Sequence, residues 1–104
     1  MIIEQIRYYV DSENIEPLVE ARRQVTLVRK QLGLPSGHIL IADDSAEGRP
    51  RMVWQCGYRD ESEMGMVETR LIGNPDYESA RTQLVELATQ VEVELYLIDD
   101  EDGE

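Results

Sequence analysis

Residues 51–58 read RMVWQCGY, and their alternation is the tightest constraint in the chain. Met52, Trp54, Cys56 and Tyr58 fall on one side of an extended segment, and Val53, Gln55 and Gly57 on the other. Strand side chains alternate with period two, so this segment predicts a strand with one bulky face to bury. That face carries the only tryptophan of the chain, so it needs an apolar layer packed on it.

Two helical stripes supply the layer. Leu18, Ala21, Val25, Val28 and Leu32 recur in steps of three and four, which predicts a helix over about 15–32. Asn14 fits its N-cap and Pro17 its first turn. Arg29 and Lys30 fit its last turn, and Gly33 its stop. Downstream, Asp60 with Glu63 resembles a capping box for a short helix over about 61–71. Gly73-Asn74-Pro75-Asp76 interrupts it, and Asn74 can cap a new helix with Pro75 at its first position. Tyr77, Ala80, Leu84, Leu87, Ala88 and Val91 form the second stripe.

Three more segments read as strands. Residues 2–10 (IIEQIRYYV) set Ile2, Ile6, Tyr8 and Val10 against Gln5 and Arg7, with Glu4 the exception on the apolar side. Residues 38–42 (HILIA) and 92–98 (EVELYLI) are the others, the latter with Val93, Leu95 and Leu97 in register. Turns fall at 11–14, at Pro35-Ser36-Gly37 and in a polar hairpin loop over 46–50. The order is strand, helix, strand, strand, broken helix, strand. Right-handed crossovers then give an α+β, ferredoxin-like βαββαβ fold. Its four-stranded antiparallel sheet carries both helices on one face, with the first and third strands central. The expected organisation is one domain over 1–98 and a frayed acidic tail over 99–104.

The sheet face turned from the helices would show Ile3, Gln5, Arg7, Tyr9, Leu40, Ala42, Val53, Gln55, Tyr96 and Ile98. So much apolar surface together usually marks an interface. A homodimer packed sheet to sheet is therefore expected, with Arg7, Tyr9, Leu40, Val53, Gln55 and Tyr96 as interface candidates.

Charge narrows the partners. There are 22 acids against 10 bases, for a net charge of −12, and this disfavours nucleic acid and anionic membranes. Solubility is the simple account of the acidity. The N-terminus shows no signal peptide, no long apolar run suggests a membrane span, and the single Cys56 fits a reducing compartment, so a cytoplasmic location is expected. One His and one Cys cannot assemble a zinc cluster, so no metal centre is expected. There is no glycine-rich phosphate loop, no nucleophile elbow and no Cys–His pair.

The remaining candidates each carry two readings. His38 begins a strand after a turn: it is an exposed histidine or a general base. Tyr8, Trp54, Tyr58, Met64 and Met66 either fill the core or line a ligand cleft between sheet and helices. Arg7, Arg51, Arg59 and Arg70 either meet an anionic group or form ordinary ion pairs with the many acids. Cys56 is a buried structural thiol or a reactive one.

The strand with Trp54 and Tyr58, the short helix, and Gly73-Asn74-Pro75-Asp76-Tyr77 before the second helix resemble the dimeric α/β-barrel superfamily. The flavour is that of NIPSNAP-like and antibiotic-biosynthesis-monooxygenase-like domains. The resemblance implies the fold, a homodimer, and a small lipophilic or aromatic ligand between sheet and helices, with Tyr8, His38, Trp54, Tyr58 and Met64 as candidate contacts. Haem-degrading members use an Asn, a Trp and a helix-borne His. No His lies on a predicted helix here, so neither haem nor any other cofactor is expected. A cofactor-free monooxygenase-like enzyme, with Tyr58, Trp54 or His38 assisting proton transfer, and a non-catalytic structural or assembly module are the alternatives.

Overall fold

The computed structural model describes residues 1–43 and 48–99. Residues 44–47, which take in the start of the expected hairpin loop, and the acidic tail beyond Asp99 lie outside the described residues. Strand β1 spans Ile2–Tyr9, and a 3-10 turn over Ser12–Asn14 leads into helix α1, Ile15–Gln31. Strands β2 (His38–Ile41) and β3 (Met52–Tyr58) follow, then helices α2 (Glu61–Leu71) and α3 (Pro75–Leu87), and strand β4 (Gln90–Leu97). The sheet order is β2-β3-β1-β4 with every neighbour antiparallel, so β1 and β3 are central. This is the ferredoxin-like α+β arrangement, its second helix broken in two.

Local chemistry sets the element ends. Gly33, at φ 72°, ends α1 with two backbone bonds, Gly33 N–H to the Lys30 carbonyl and Leu34 N–H to the Arg29 carbonyl. Asp60 caps α2 by accepting from the Glu63 N–H, and Glu63 accepts from the Arg59 N–H, one residue before the usual capping-box donor. Asn74 caps α3 by accepting from the Tyr77 N–H. Asn14 makes no such side-chain bond; the 3-10 turn ahead of α1 occupies the position instead.

The registers fix the faces. Ile2, Glu4, Ile6 and Tyr8 stand opposite Tyr58, Cys56, Trp54 and Met52 on one side, and opposite Leu97, Leu95, Val93 and Val91 on the other. Ile39 and Ile41 face Trp54 and Met52 across β2 and β3. All these side chains point to the helices. Trp54, Tyr58, Met52, Leu18, Val25 and Val67 are the largest fully buried ones. Burying an aliphatic side chain of this size stabilises by about 1.5–3 kcal/mol.

Two sequence expectations need correction. Val91 does not extend the last helical stripe: α3 ends at Leu87, and Val91 pairs with Tyr8 in β4. A stripe continued for one more turn looks the same in sequence as the first apolar residue of a strand. Nor do the helices cover all of the sheet. Helix α3 packs on α1 rather than on β4, so Val93, Leu95 and Leu97 stay exposed at 58%, 54% and 81%.

Among the described residues, no helix is long and apolar enough to cross a membrane.

Candidate functional site

The uncovered side of β4 opens into a cavity of about 570 Å³ between the sheet and the helices. Strand β1 contributes Glu4, Ile6 and Tyr8, β3 Trp54 and Tyr58, and β4 Val91 and Val93. Helix α1 contributes Arg22, Val25 and Arg29. The segment from α2 to α3 closes the far side with Val67, Leu71, Tyr77 and Leu84 among others. Exposed Ile72, Glu68, Arg81 and Val85 form its rim. The volume lies within the range of small-molecule sites, about 300–1,000 Å³.

The floor is built on the Trp54 indole. Its Nε1–H donates to the Ser36 carbonyl at 3.0 Å. Gly37, at φ 71°, makes that approach feasible: a Cβ there would lie 2.6 Å from the indole and 2.7 Å from the Gln55 carbonyl. The Arg22 guanidinium carbon stands 3.9 Å from the indole centroid, and that of Arg29 at 4.7 Å. Seven residues on one helix make about two turns, so α1 presents both arginines, with Val25 between, on its sheet-facing side.

These arginines are 5% and 4% exposed and are the only buried charged side chains among the described residues. Their partners are neutral. Arg22 Nη1–H donates to the Tyr8 hydroxyl at 3.0 Å, while Arg22 Nε, also buried, has no hydrogen-bond partner among the described residues. Arg29 Nε–H donates to the Pro35 carbonyl, and Nη2–H to the Tyr58 hydroxyl at 2.8 Å, with Cys56 Sγ at 3.8 Å. The Tyr58 hydroxyl in turn donates to Glu4 Oε1 at 3.0 Å.

Removing a guanidinium from water costs several kcal/mol per ion. A desolvated contact with an indole returns about 2 kcal/mol, and a hydrogen bond to a charged group about 1.5–3 kcal/mol. Arg29 bonds through both Nε and Nη2, whereas the Nε of Arg22 is left without a hydrogen bond among the described residues.

Titration follows the burial. Desolvation pushes the Tyr58 and Tyr8 phenols up, the neighbouring arginines opposing it only in part. It pushes the Cys56 thiol up as well, which leaves Cys56 a buried, protonated group rather than a nucleophile. Burial lowers Arg22, with the Tyr8 phenol opposing it in part; a guanidinium stays protonated in proteins. The wall is thus a set of fixed donors.

Of the sequence candidates, the structure brings Tyr8, Trp54 and Tyr58 together on the wall. Met64 packs against the core outside the cavity lining, and Met66 is exposed. His38 is exposed and stands opposite Gln55, on the sheet face turned away from the cavity. Arg7, Arg51 and Arg59 bond elsewhere: Arg7 to Glu92 and Glu94, Arg59 to Glu63, and Arg51 to the Ser12 hydroxyl. Arg70 is an exposed residue of the last turn of α2.

Sequence reasoning passed over Arg22, and placed Arg29 at the end of its helix for dipole reasons alone. The signal was present: positions 22 and 29 fall on the same side as Leu18, Val25 and Leu32. Glu4, the exception in its strand, belongs to the same site. Among the described residues, no three His, Cys, Asp or Glu side chains gather as a metal site would require.

The interface candidates Arg7, Tyr9, Val53, Gln55, Leu40 and Tyr96 do share the opposite face, with Leu40 and Tyr96 exposed. That face is more polar than its apolar residues suggested. Arg7 binds Glu92, Glu94 and Gln5, Tyr9 donates to Glu92, and Gln5 donates to Gln55.

No family model matches the chain, and no curated protein matches it. Solved structures do. A NIPSNAP-domain protein of Burkholderia xenovorans aligns with a TM-score of 0.73 at 13% identity, over 97% of each chain. A NIPSNAP-family protein of Agrobacterium tumefaciens gives 0.73 at 16%, over 96% of this chain and 94% of that one. A protein of Nitrosomonas europaea described as an antibiotic biosynthesis monooxygenase candidate gives 0.70 at 16%, over 94% and 98%. The chain therefore has the fold of the NIPSNAP-domain and antibiotic-biosynthesis-monooxygenase-like structures, along almost its whole length.

Proposed function

We propose that this protein binds a small lipophilic or aromatic molecule in the cavity between sheet and helices, and that it works as a homodimer packed through the opposite sheet face. The observation that carries the binding reading is the cavity itself. It offers apolar walls from β4 and α3, together with a few convergent polar groups on Arg22, Arg29, Tyr8 and Tyr58. That mixture is characteristic of small-molecule sites.

Trp54 is both the only tryptophan and part of the wall, so its emission reports occupancy directly. Titration with a panel of aromatic compounds is expected to shift that emission saturably. Val91→Phe, at the exposed edge of the cavity, is expected to weaken the response without unfolding the protein. A panel that leaves both the emission and the backbone amide spectrum unchanged removes the binding reading and favours a structural or assembly module. For the dimer, Val53→Asp and Tyr9→Asp are expected to halve the mass seen by light scattering; an unchanged mass with an intact fold defeats that interface.

A cofactor-free monooxygenase-like role is the second reading. It is supported by the Tyr58–Glu4 hydrogen bond at the wall, which sets a carboxylate, the residue type of a general base, beside a phenol in the cavity lining. Oxygen consumption with a bound aromatic substrate, lost in Tyr58→Phe, would carry this reading. Binding with no oxygen consumed would exclude it.

A further inference from the structure

We infer that the cavity takes an apolar monocarboxylate, its carboxylate seated on Arg22 beside Arg29 and its hydrocarbon body directed toward β4. The inference rests on the binding reading above and names the class of ligand.

The argument begins with a missing partner. The chain holds 22 acids and 10 bases, so carboxylates are plentiful. The half-buried Arg7, on the other side of the sheet, takes two of them. Among the described residues, Arg22 is buried on the cavity wall with no carboxylate partner, and its Nε has no hydrogen-bond partner. Glu4, the acid of the lining that joins this hydrogen-bond chain, accepts from Tyr58 rather than from either arginine. A guanidinium offers its N–H groups as a planar fork that matches the two oxygens of a carboxylate. Arg29, beside the same indole, adds a second positive charge while its Nε and Nη2 are bonded to Pro35 and Tyr58.

The rest of the lining selects the body and the charge count. Val91, Val93 and Val85 give the outer part an apolar surface. Glu68 and Glu78 lie in the lining nearer solvent, and the chain carries a net charge of −12. A second negative charge outside the arginine pair meets repulsion there. One buried anionic end on an apolar body satisfies both parts.

The test uses calorimetric titration of the full chain with 2-naphthoate and with its neutral counterpart 2-naphthamide. The carboxylate is expected to bind at least about tenfold tighter. Arg22→Met is expected to abolish that preference while leaving the amide within about twofold, and Arg22→Lys to restore only part of it, since an ammonium lacks the fork. Arg70→Gln, exposed on α2 and outside the cavity lining, is expected to keep the preference; losing it there would reassign the effect to surface charge and overturn the inference.

A measurement on the unaltered protein runs in parallel. The Arg22 Nε–H resonance is expected to move on adding naphthoate and to stay in place with naphthamide. Equal binding of the two compounds, with no shift of that resonance, overturns the carboxylate site while leaving the cavity as a neutral binding site. Failure of both compounds to bind overturns the carboxylate site and the binding reading together.

Discussion

The two faces of this sheet treat arginine in opposite ways. On the open face, Arg7 sits among Glu92, Glu94, Gln5 and Tyr9, in a ladder whose members all reach water in part. On the helix face, Arg22 and Arg29 are buried, and they hold an indole, two phenols, a carbonyl and a thiol instead of carboxylates. At a surface, charge pairing is easy and contributes little. In an interior, a guanidinium held only by neutral groups is costly, and it keeps unspent capacity for an anion. The contrast separates an arginine that decorates the fold from a pair that equips a site.

Three experiments test that contrast, beginning with the largest effect. Gly37→Ala forces a side chain into the Trp54 indole and the Gln55 carbonyl at a left-handed backbone position. A loss of about 2–4 kcal/mol in urea unfolding is expected, with Trp54 emission displaced in the native state. An unaltered stability and spectrum would mean that the arginine-flanked indole is not held from this side.

Tyr58→Phe comes next. It removes the hydroxyl that joins Arg29 to Glu4, leaving that guanidinium arm with only the Cys56 sulfur. A cost of about 1.5–3 kcal/mol is expected, against a small change for Tyr9→Phe on the open face. Equal losses for the two would erase the difference between the faces.

The smallest effect belongs to Glu92. Hydrogen bonds from Tyr9 and then Arg7 hold its carboxyl below the usual range. A carboxyl with a lowered folded-state value stabilises fully above its unfolded value, and that contribution fades as pH falls through the folded one. Glu92→Gln should therefore remove a stabilisation that is present at neutral pH and fades below about pH 4, so that the acid limb becomes shallower and the two proteins converge at low pH. Screening at this exposed site keeps the change slight. A larger loss at pH 7 than from Tyr58→Phe would reverse the ranking of the two faces.

Much of this was legible along the chain. The alternation through Met52, Trp54, Cys56 and Tyr58, the stripe from Leu18 to Leu32, and the Asn74-Pro75 cap each report a local periodicity or a local hydrogen bond. Such features are properties of neighbouring residues, and they were enough to give the strand and helix order, the central strands and the sheet faces. Tyr8, Trp54 and Tyr58 could be picked as cavity candidates because they share the bulky side of two paired strands.

Other features were decided only by distant segments meeting. That α3 leans on α1 and leaves β4 bare depends on how two helices pack across a sheet, and no residue spacing encodes it. The acids at 92 and 94 join Arg7 only once β4 pairs with β1, which turns an apolar-looking face into a partly ionic one. His38 had chemistry but ended on the wrong side of the sheet, because one position of register decides which face a strand residue takes. Arg22 looked like any helix arginine until the fold closed over it. The sequence alone determined which segments would be strands and helices and which side of each strand would turn to the helices, since periodicity is local. The structure alone decided that two of the buried residues would be unneutralised cations around Trp54, since the absence of a carboxylate is a fact about every segment that packs nearby.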